Sequence, residues 1–231
     1  MRPLKTEFVV TYTTIIDLQS DLRSILNPYS EPSSRIIVQA VNRPEENIRL
    51  VFAEDLYVLE CNWNRVKFIS ERTRAAHESA DGQLRFFFRI LSDLSDHHGF
   101  SRFKEAQLTC FDLIEGGEAS SDAGRYIRDY LSDGIKNTFD GVDDVGIQLI
   151  MSEGERKRTL VTGPYDPAND PENYNIKVLD DDVEPPLREL SGMLARTQIN
   201  RKCSEPAHGI YVDMLDESQA LIEDFLQTRH G

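Results

Sequence analysis

A chain of 231 residues with 39% hydrophobic, 9% aromatic and 29% charged side chains carries enough apolar surface to offset the entropy lost on folding. That excludes collagen-like, low-complexity and wholly disordered chains. Its 26 Lys and Arg against 40 Asp and Glu give a net charge of −14, which argues against wrapping nucleic acid or docking on anionic lipid, both of which reward basic side chains.

In chain order, Phe8 to Ile16 is rich in β-branched and aromatic residues and predicts a strand. Asp17 is placed to cap a helix carrying Leu18, Leu22, Ile25 and Leu26, which Asn27-Pro28 ends. Three strands follow, at Arg35 to Asn42, Ile48 to Phe52, and Tyr57 to Cys61 with its continuation at Arg65 to Ser70, and their short connections imply antiparallel pairing. Asp81 caps a helix with Leu84, Phe87, Phe88, Leu91 and Leu94, stopped near Gly99. Phe103 to Ile114 is again a strand, and Ser121 precedes a helix with Ile127, Leu131, Ile135 and Phe139 on one face. Val145 to Met151 and Arg156 to Thr162 flank a hairpin turn at Ser152 to Glu155. Further expectations are a strand at Tyr174 to Leu179, a helix opened by Pro185-Pro186 with Leu187, Leu190, Met193 and Leu194, and a strand at Ile210 to Leu215. A last helix begins at Asp216 with the Asp216/Gln219 capping pattern.

This order reads as an α+β fold of two similar halves, residues 1–100 and 101–231, each an antiparallel sheet backed by helices in strand-helix-strands-helix sequence. The second half has an extra helix near 186–197. Charge divides the halves: residues 1–100 hold 12 basic and 14 acidic side chains, and residues 101–231 hold 14 and 26.

Cys61, Cys110 and Cys203 are odd in number and widely spaced, so neither a disulfide framework nor a CxxC site is expected. Cys61 and Cys110 lie in apolar runs and read as core, leaving Cys203, in a polar loop, as the plausible reactive thiol. The polar opening from Met1 to Glu7 is unlike a signal peptide, and no stretch reaches the roughly 20 apolar residues that span a bilayer. A reduced, cytoplasmic chain without a membrane partner is the expectation.

Carboxylates crowd the loop containing Asp166, Asp170, Glu172 and Asp180 to Glu184. Asp180, Asp181 and Asp182 are the candidate ligands for Mg²⁺ or Ca²⁺, although the EF-hand spacing is missing and a solvated acidic loop is the plainer reading. His97 and His98 sit at a helix end, where they suit the macrodipole; about 100° apart on a helix, they would not share a metal as an i, i+4 pair does. Gly116 to Gly124 stands where a phosphate loop would, but lacks both Walker and dinucleotide spacing. The locally basic stretch Arg65, Lys67, Arg72 and Arg74, extended by Arg85 and Arg89 and flanked by Trp63 and Phe68, would suit an acidic protein surface or single-stranded nucleic acid.

The run Val58-x-Glu60 through Asn64-Arg65-Val66-Lys67-Phe68, the strand near residue 103, and Tyr211-Val212-Asp213-Met214-Leu215-Asp216 before an amphipathic terminal helix together resemble a sporadically distributed family of uncharacterised prokaryotic proteins of similar length. The segment Phe103 to Leu108 departs from that family's aromatic and Arg-rich pattern. The resemblance implies a two-part α+β layout and supplies no catalytic residue. With no nucleophile, acid/base pair or cofactor motif in view, the expected function is recognition of a protein partner or self-association. Trp63, Tyr57 and Tyr174 would serve as anchors beside the basic patch. A Mg²⁺-dependent hydrolase or nuclease using the Asp180 loop with His97 or His98, and an acidic nucleic-acid mimic, are the alternatives.

Overall fold

The alternation of apolar and polar residues that sets the strands also decides which face of the sheet is dry. In a computed structural model describing residues 1–15, 18–33, 35–41, 43, 46–52, 57–70, 82, 84–115, 145–176 and 189–227, the first strand β1 (Arg2–Tyr12) buries Phe8, Val10 and Tyr12 on one side. Glu7, Val9 and Thr11 remain half-buried on the other. The strands β2 (Arg35–Gln39), β3 (Asn47–Phe52), β4 (Tyr57–Asn62) and β5 (Arg65–Ser70) form an antiparallel meander whose last member pairs with β1. On the far side lie β6 (Phe103–Ile114), β7 (Ile147–Glu153), β8 (Arg156–Pro164) and β9 (Met193–Lys202). Sheet order is β2-β3-β4-β5-β1-β6-β9-β8-β7, with every pairing antiparallel.

This arrangement overturns the expectation of two similar halves, each with its own helix-backed sheet. β1 and β6 pair from Arg2↔Leu113 to Tyr12↔Phe103, interrupted by irregularities between Pro3 and Lys5 and between Thr11 and Tyr12, so one nine-stranded sheet runs unbroken across residue 100. β1 and β6 would each leave a row of N–H and C=O groups unpaired at a sheet edge, and joining them removes both edges at once.

Helices α1 (Leu18–Leu26), α2 (Leu84–Ser95) and α4 (His208–Gln227) cover one face, while the four-residue α3 (Asp170–Asn173) lies at a corner of the other. Phe8 is the hub of the covered face: its ring centroid lies 5.3 Å from that of Phe87 on α2 and 5.1 Å from that of Tyr211 on α4. Leu18, Leu22 and Leu26 bring α1 into the same core. On the opposite face a small cluster of Leu4, Phe111, Leu113, Tyr165, Ile176, Leu190 and Leu194 packs where the segment around α3 folds over the sheet.

Three expected elements take another form. Ile210 to Leu215 is helical, not a strand, because Tyr211, Met214, Leu215, Ser218, Leu221 and Ile222 line one buried helical stripe from the first turn of α4. Met193 and Leu194, assigned to the helix opened by Pro185-Pro186, instead begin β9, where Ala195, Thr197 and Ile199 point into the helix-covered core. Tyr174, placed in a strand, is the C-terminal cap of α3. The helix expected over Ser121 to Phe139 lies outside the described residues. No described helix is long and apolar enough to cross a membrane.

Candidate functional site

Opposite the helices, the register brings side chains from strands far apart in sequence into cross-sheet rows. One row runs Arg49, Glu60, Lys67, Val9, Gln107, Asn200 and Lys157; the next runs Val58, Ile69, Glu7, Thr109, Gln198, Thr159 and Ile150. The central strands carry the charge. Glu7 accepts from Lys5 at 2.7 Å and from Lys67 at 2.8 Å, and Arg49 Nε lies 2.8 Å from Glu60 Oε1. Burial alone would raise the Glu7 pKa, but the two lysines outweigh it and hold the carboxyl below its ordinary range. Lys5 is only 2% exposed; its Nζ also donates to the Tyr174 carbonyl at 3.0 Å and lies 5.5 Å from the Phe111 ring centroid. On β9, Arg196 Nη2 donates to Gln198 Oε1 at 3.3 Å and Gln198 Nε2 to Asn200 Oδ1 at 3.2 Å. The outcome is a half-buried polar face with donors and acceptors in fixed order, spread over several strands instead of converging on one point.

The residues singled out in the sequence are divided by this geometry. Arg65 and Lys67 stand on the open face of β5, whereas Arg85 and Arg89 are exposed on α2 across the sheet, so the expected basic patch is not one surface. Arg72 and Arg74 lie outside the described residues, as do Asp180, Asp181 and Asp182. Tyr57 is not a surface anchor: it is 4% exposed and stacks on Phe52 with centroids 4.3 Å apart. Phe68, proposed as a stacking surface, is fully buried in the helix-covered core. Trp63 is half-buried in the turn between β4 and β5, where its carbonyl accepts from the Ile15 amide at 3.1 Å. Tyr174 is half-buried against Phe111, with centroids 5.4 Å apart, and lines a cleft of about 240 Å³ with Arg196, Leu194 and Asp170. Cys61 and Cys110 are buried as expected; Cys203 is 4% exposed at the wall of a cleft with Arg102, Lys104 and Lys202, and burial raises its thiol pKa, which works against the thiolate that a reactive cysteine needs.

A cluster that spacing did not reveal joins α1 to the end of α2. Because α2 stops at Ser95, the helical 100° separation does not apply to His97 and His98; their rings lie 4.2 Å apart, and ligand atoms from both and from Asp21 all fall within 4.8 Å of one another. Such a donor set has the composition of a transition-metal site. Its hydrogen bonds favour another role. The Gly99 amide donates to His97 Nδ1 at 3.1 Å, so the ring proton resides on Nε2, which lies 2.9 Å from Asp21 Oδ2. A metal on Nε2 would have to displace that proton and break the Gly99 bond. As it stands, His97 is a polar strut between two helices. Asp21 and His97 are 76 residues apart, and no local signal in the sequence pairs them.

Between α2 and the start of α4, Arg85, Phe88, Arg89, Ser92, Pro206 and His208 line a cleft of about 390 Å³. No protein-family model matches the sequence, and no match is found among curated proteins.

Proposed function

We propose that this protein is a binding protein that recognises a protein partner through the face of its sheet opposite α1, α2 and α4. The observation that carries this reading is the Lys5–Glu7–Lys67 and Arg49–Glu60 ladder continuing into the Arg196–Gln198–Asn200 ladder. Polar groups ordered across a half-buried face, with the apolar residues Val9, Val51 and Val58 between them, offer both directional contacts and desolvatable area. Catalysis would instead call for titratable groups converging in one enclosed pocket. Among the described residues, the charged groups of this face are dispersed along it, with Glu7 and Glu60 each held by basic neighbours.

The reading is tested by co-purification with the full chain, comparing wild type with a Thr159→Arg/Asn200→Arg double variant that places two bulky cations on the β9–β8 part of this face without touching the helix-side core. A stoichiometric protein partner retained by wild type and lost by the variant, with an unchanged thermal transition, supports it. Retention of the same partner by both proteins, or binding that the variant leaves intact at low and high salt, overturns it.

A further inference from the structure

We propose that the free edge of β7 pairs with the β7 of a second copy, joining two sheets about a two-fold axis. Among the described residues, β7 is the last strand in the sheet and bonds only to β8. Its seven residues, Ile-Gln-Leu-Ile-Met-Ser-Glu, include no Pro or Lys, and Leu149 and Ile150 are 40% and 58% exposed. Folded proteins ordinarily blunt such an edge with charge, proline or a bulge.

The hairpin fixes which backbone groups are available. Glu153 and Arg156 close a two-residue turn at Gly154-Glu155, with Gly154 at φ +57°. In an antiparallel ladder the closing pair exchanges both of its bonds, and the pattern alternates from there. Glu153, Met151, Leu149 and Ile147 therefore turn their N–H and C=O toward β8, while Ser152, Ile150 and Gln148 turn theirs outward. A second β7 centred on Ile150 matches this pattern. Ile150 meets Ile150 of the other copy, Gln148 meets Ser152, and the six outward-facing groups pair across the axis.

The self-complementary register selects a second copy as the occupant, and the junction is spared the charge repulsion that acts elsewhere. A chain of net charge −14 repels its own kind over most of its surface. Across this junction the side chains facing one another are uncharged except Glu153, which would lie opposite Ile147 and is held by Arg158 of its own chain at 3.5 Å. The other edge is less suited: β2 is five residues long, and Arg35 has no ion-pair partner among the described residues.

The test is sedimentation equilibrium of the full chain from about 5 to 200 μM, with three variants. Wild type should sediment at twice the chain mass. Ile150→Lys should weaken association by about 100-fold or more, and Gln148→Pro should do the same while keeping the fold, because the amide it removes faces outward. Ile36→Lys, on the exposed β2 edge, should leave the dimer intact. A wild-type monomer throughout the range, a dimer surviving both β7 variants, or a dimer abolished by Ile36→Lys overturns the proposal. Should Ile150→Lys fail to fold, Gln148→Pro decides the matter.

Discussion

The two faces of the sheet are built from the same strands and held by different physics. On the helix side, Phe8, Val10 and Tyr12 of β1 meet α1, α2 and α4 in a core where large side chains such as Phe68 and Phe87 are fully buried. On the other side, one residue along, Lys5 and Glu7 are held by ion pairs and hydrogen bonds. The difference teaches that the covered face supplies most of the folding free energy through burial, and the open face supplies order among polar groups whose net contribution depends on solvent conditions. Substitutions on neighbouring residues of one strand should therefore differ in size and in their response to pH.

The largest contrast is between Phe8 and Val9. Phe8→Ala should lower stability by about 3–5 kcal/mol, as a buried ring is replaced by a cavity among Phe87 and Tyr211. Val9→Ala, on the half-buried face, should cost about 1 kcal/mol or less. Urea denaturation of both variants measures the difference; equal costs would show that the open face is packed as tightly as the covered one.

Lys5 is a charged residue of the polar face that is as buried as a core residue. Lys5→Met keeps the stem but removes the charge that faces Glu7 and the donor to the Tyr174 carbonyl. Leaving a half-buried carboxylate with one cation fewer should cost about 3 kcal/mol at neutral pH. The accompanying Lys5→Met/Glu7→Gln double variant should recover part of that loss, because the charge left behind is gone.

Acid titration separates the faces again, by a smaller amount. Folding lowers the Glu7 pKa, so the unfolded chain takes up this proton at a higher pH than the folded one. The stabilisation is complete above the ordinary glutamate value of about 4.5 and is lost as pH falls through the depressed folded value. Removing one of the two lysines moves the folded pKa back toward that value. Lys67→Met should thus flatten the acid limb of the stability profile and cost about 1 kcal/mol at pH 7, whereas Phe8→Ala should shift the whole profile without changing its slope.

Much of the sheet is legible in the sequence because alternation is a local property: β3, β4, β5, β6 and β8 fall where apolar and polar residues take turns. β9 escapes because its core-facing positions include Ala195 and Thr197, small or polar residues that carry little hydrophobic signal. The first turn of α4 misleads for the opposite reason, as Ile210, Tyr211 and Val212 are strong strand formers overruled by the stripe that packs on Phe8 and Ile199. Of the open face the sequence singles out only Arg65 and Lys67, since the groups Lys67 meets come together through pairings of strands that local pattern does not specify. The continuity of β1 with β6 is of the same kind: each strand is plain in the sequence, but that their edges join is a tertiary fact.

The smallest expected effect tests whether the helix layer contains a polar element that matters. His97 ties α1 to the end of α2 through Asp21, and Gly99 holds its ring from the other side. His97→Gln should lower stability by about 1 kcal/mol, the worth of one such bond, and should speed amide exchange in α1 more than in α4. Gly99→Ala should act in the same direction, because the new Cβ would stand 2.9 Å from Ile15 Cγ2 and 3.5 Å from His97 Nδ1. Zinc provides the opposing outcome. A strut whose Nε2 proton points at Asp21 should give no rise in thermal midpoint at micromolar Zn²⁺, whereas a rise abolished by His97→Gln and by His98→Gln would mean that the metal outcompetes the Gly99 hydrogen bond and that the cluster is a ligand site.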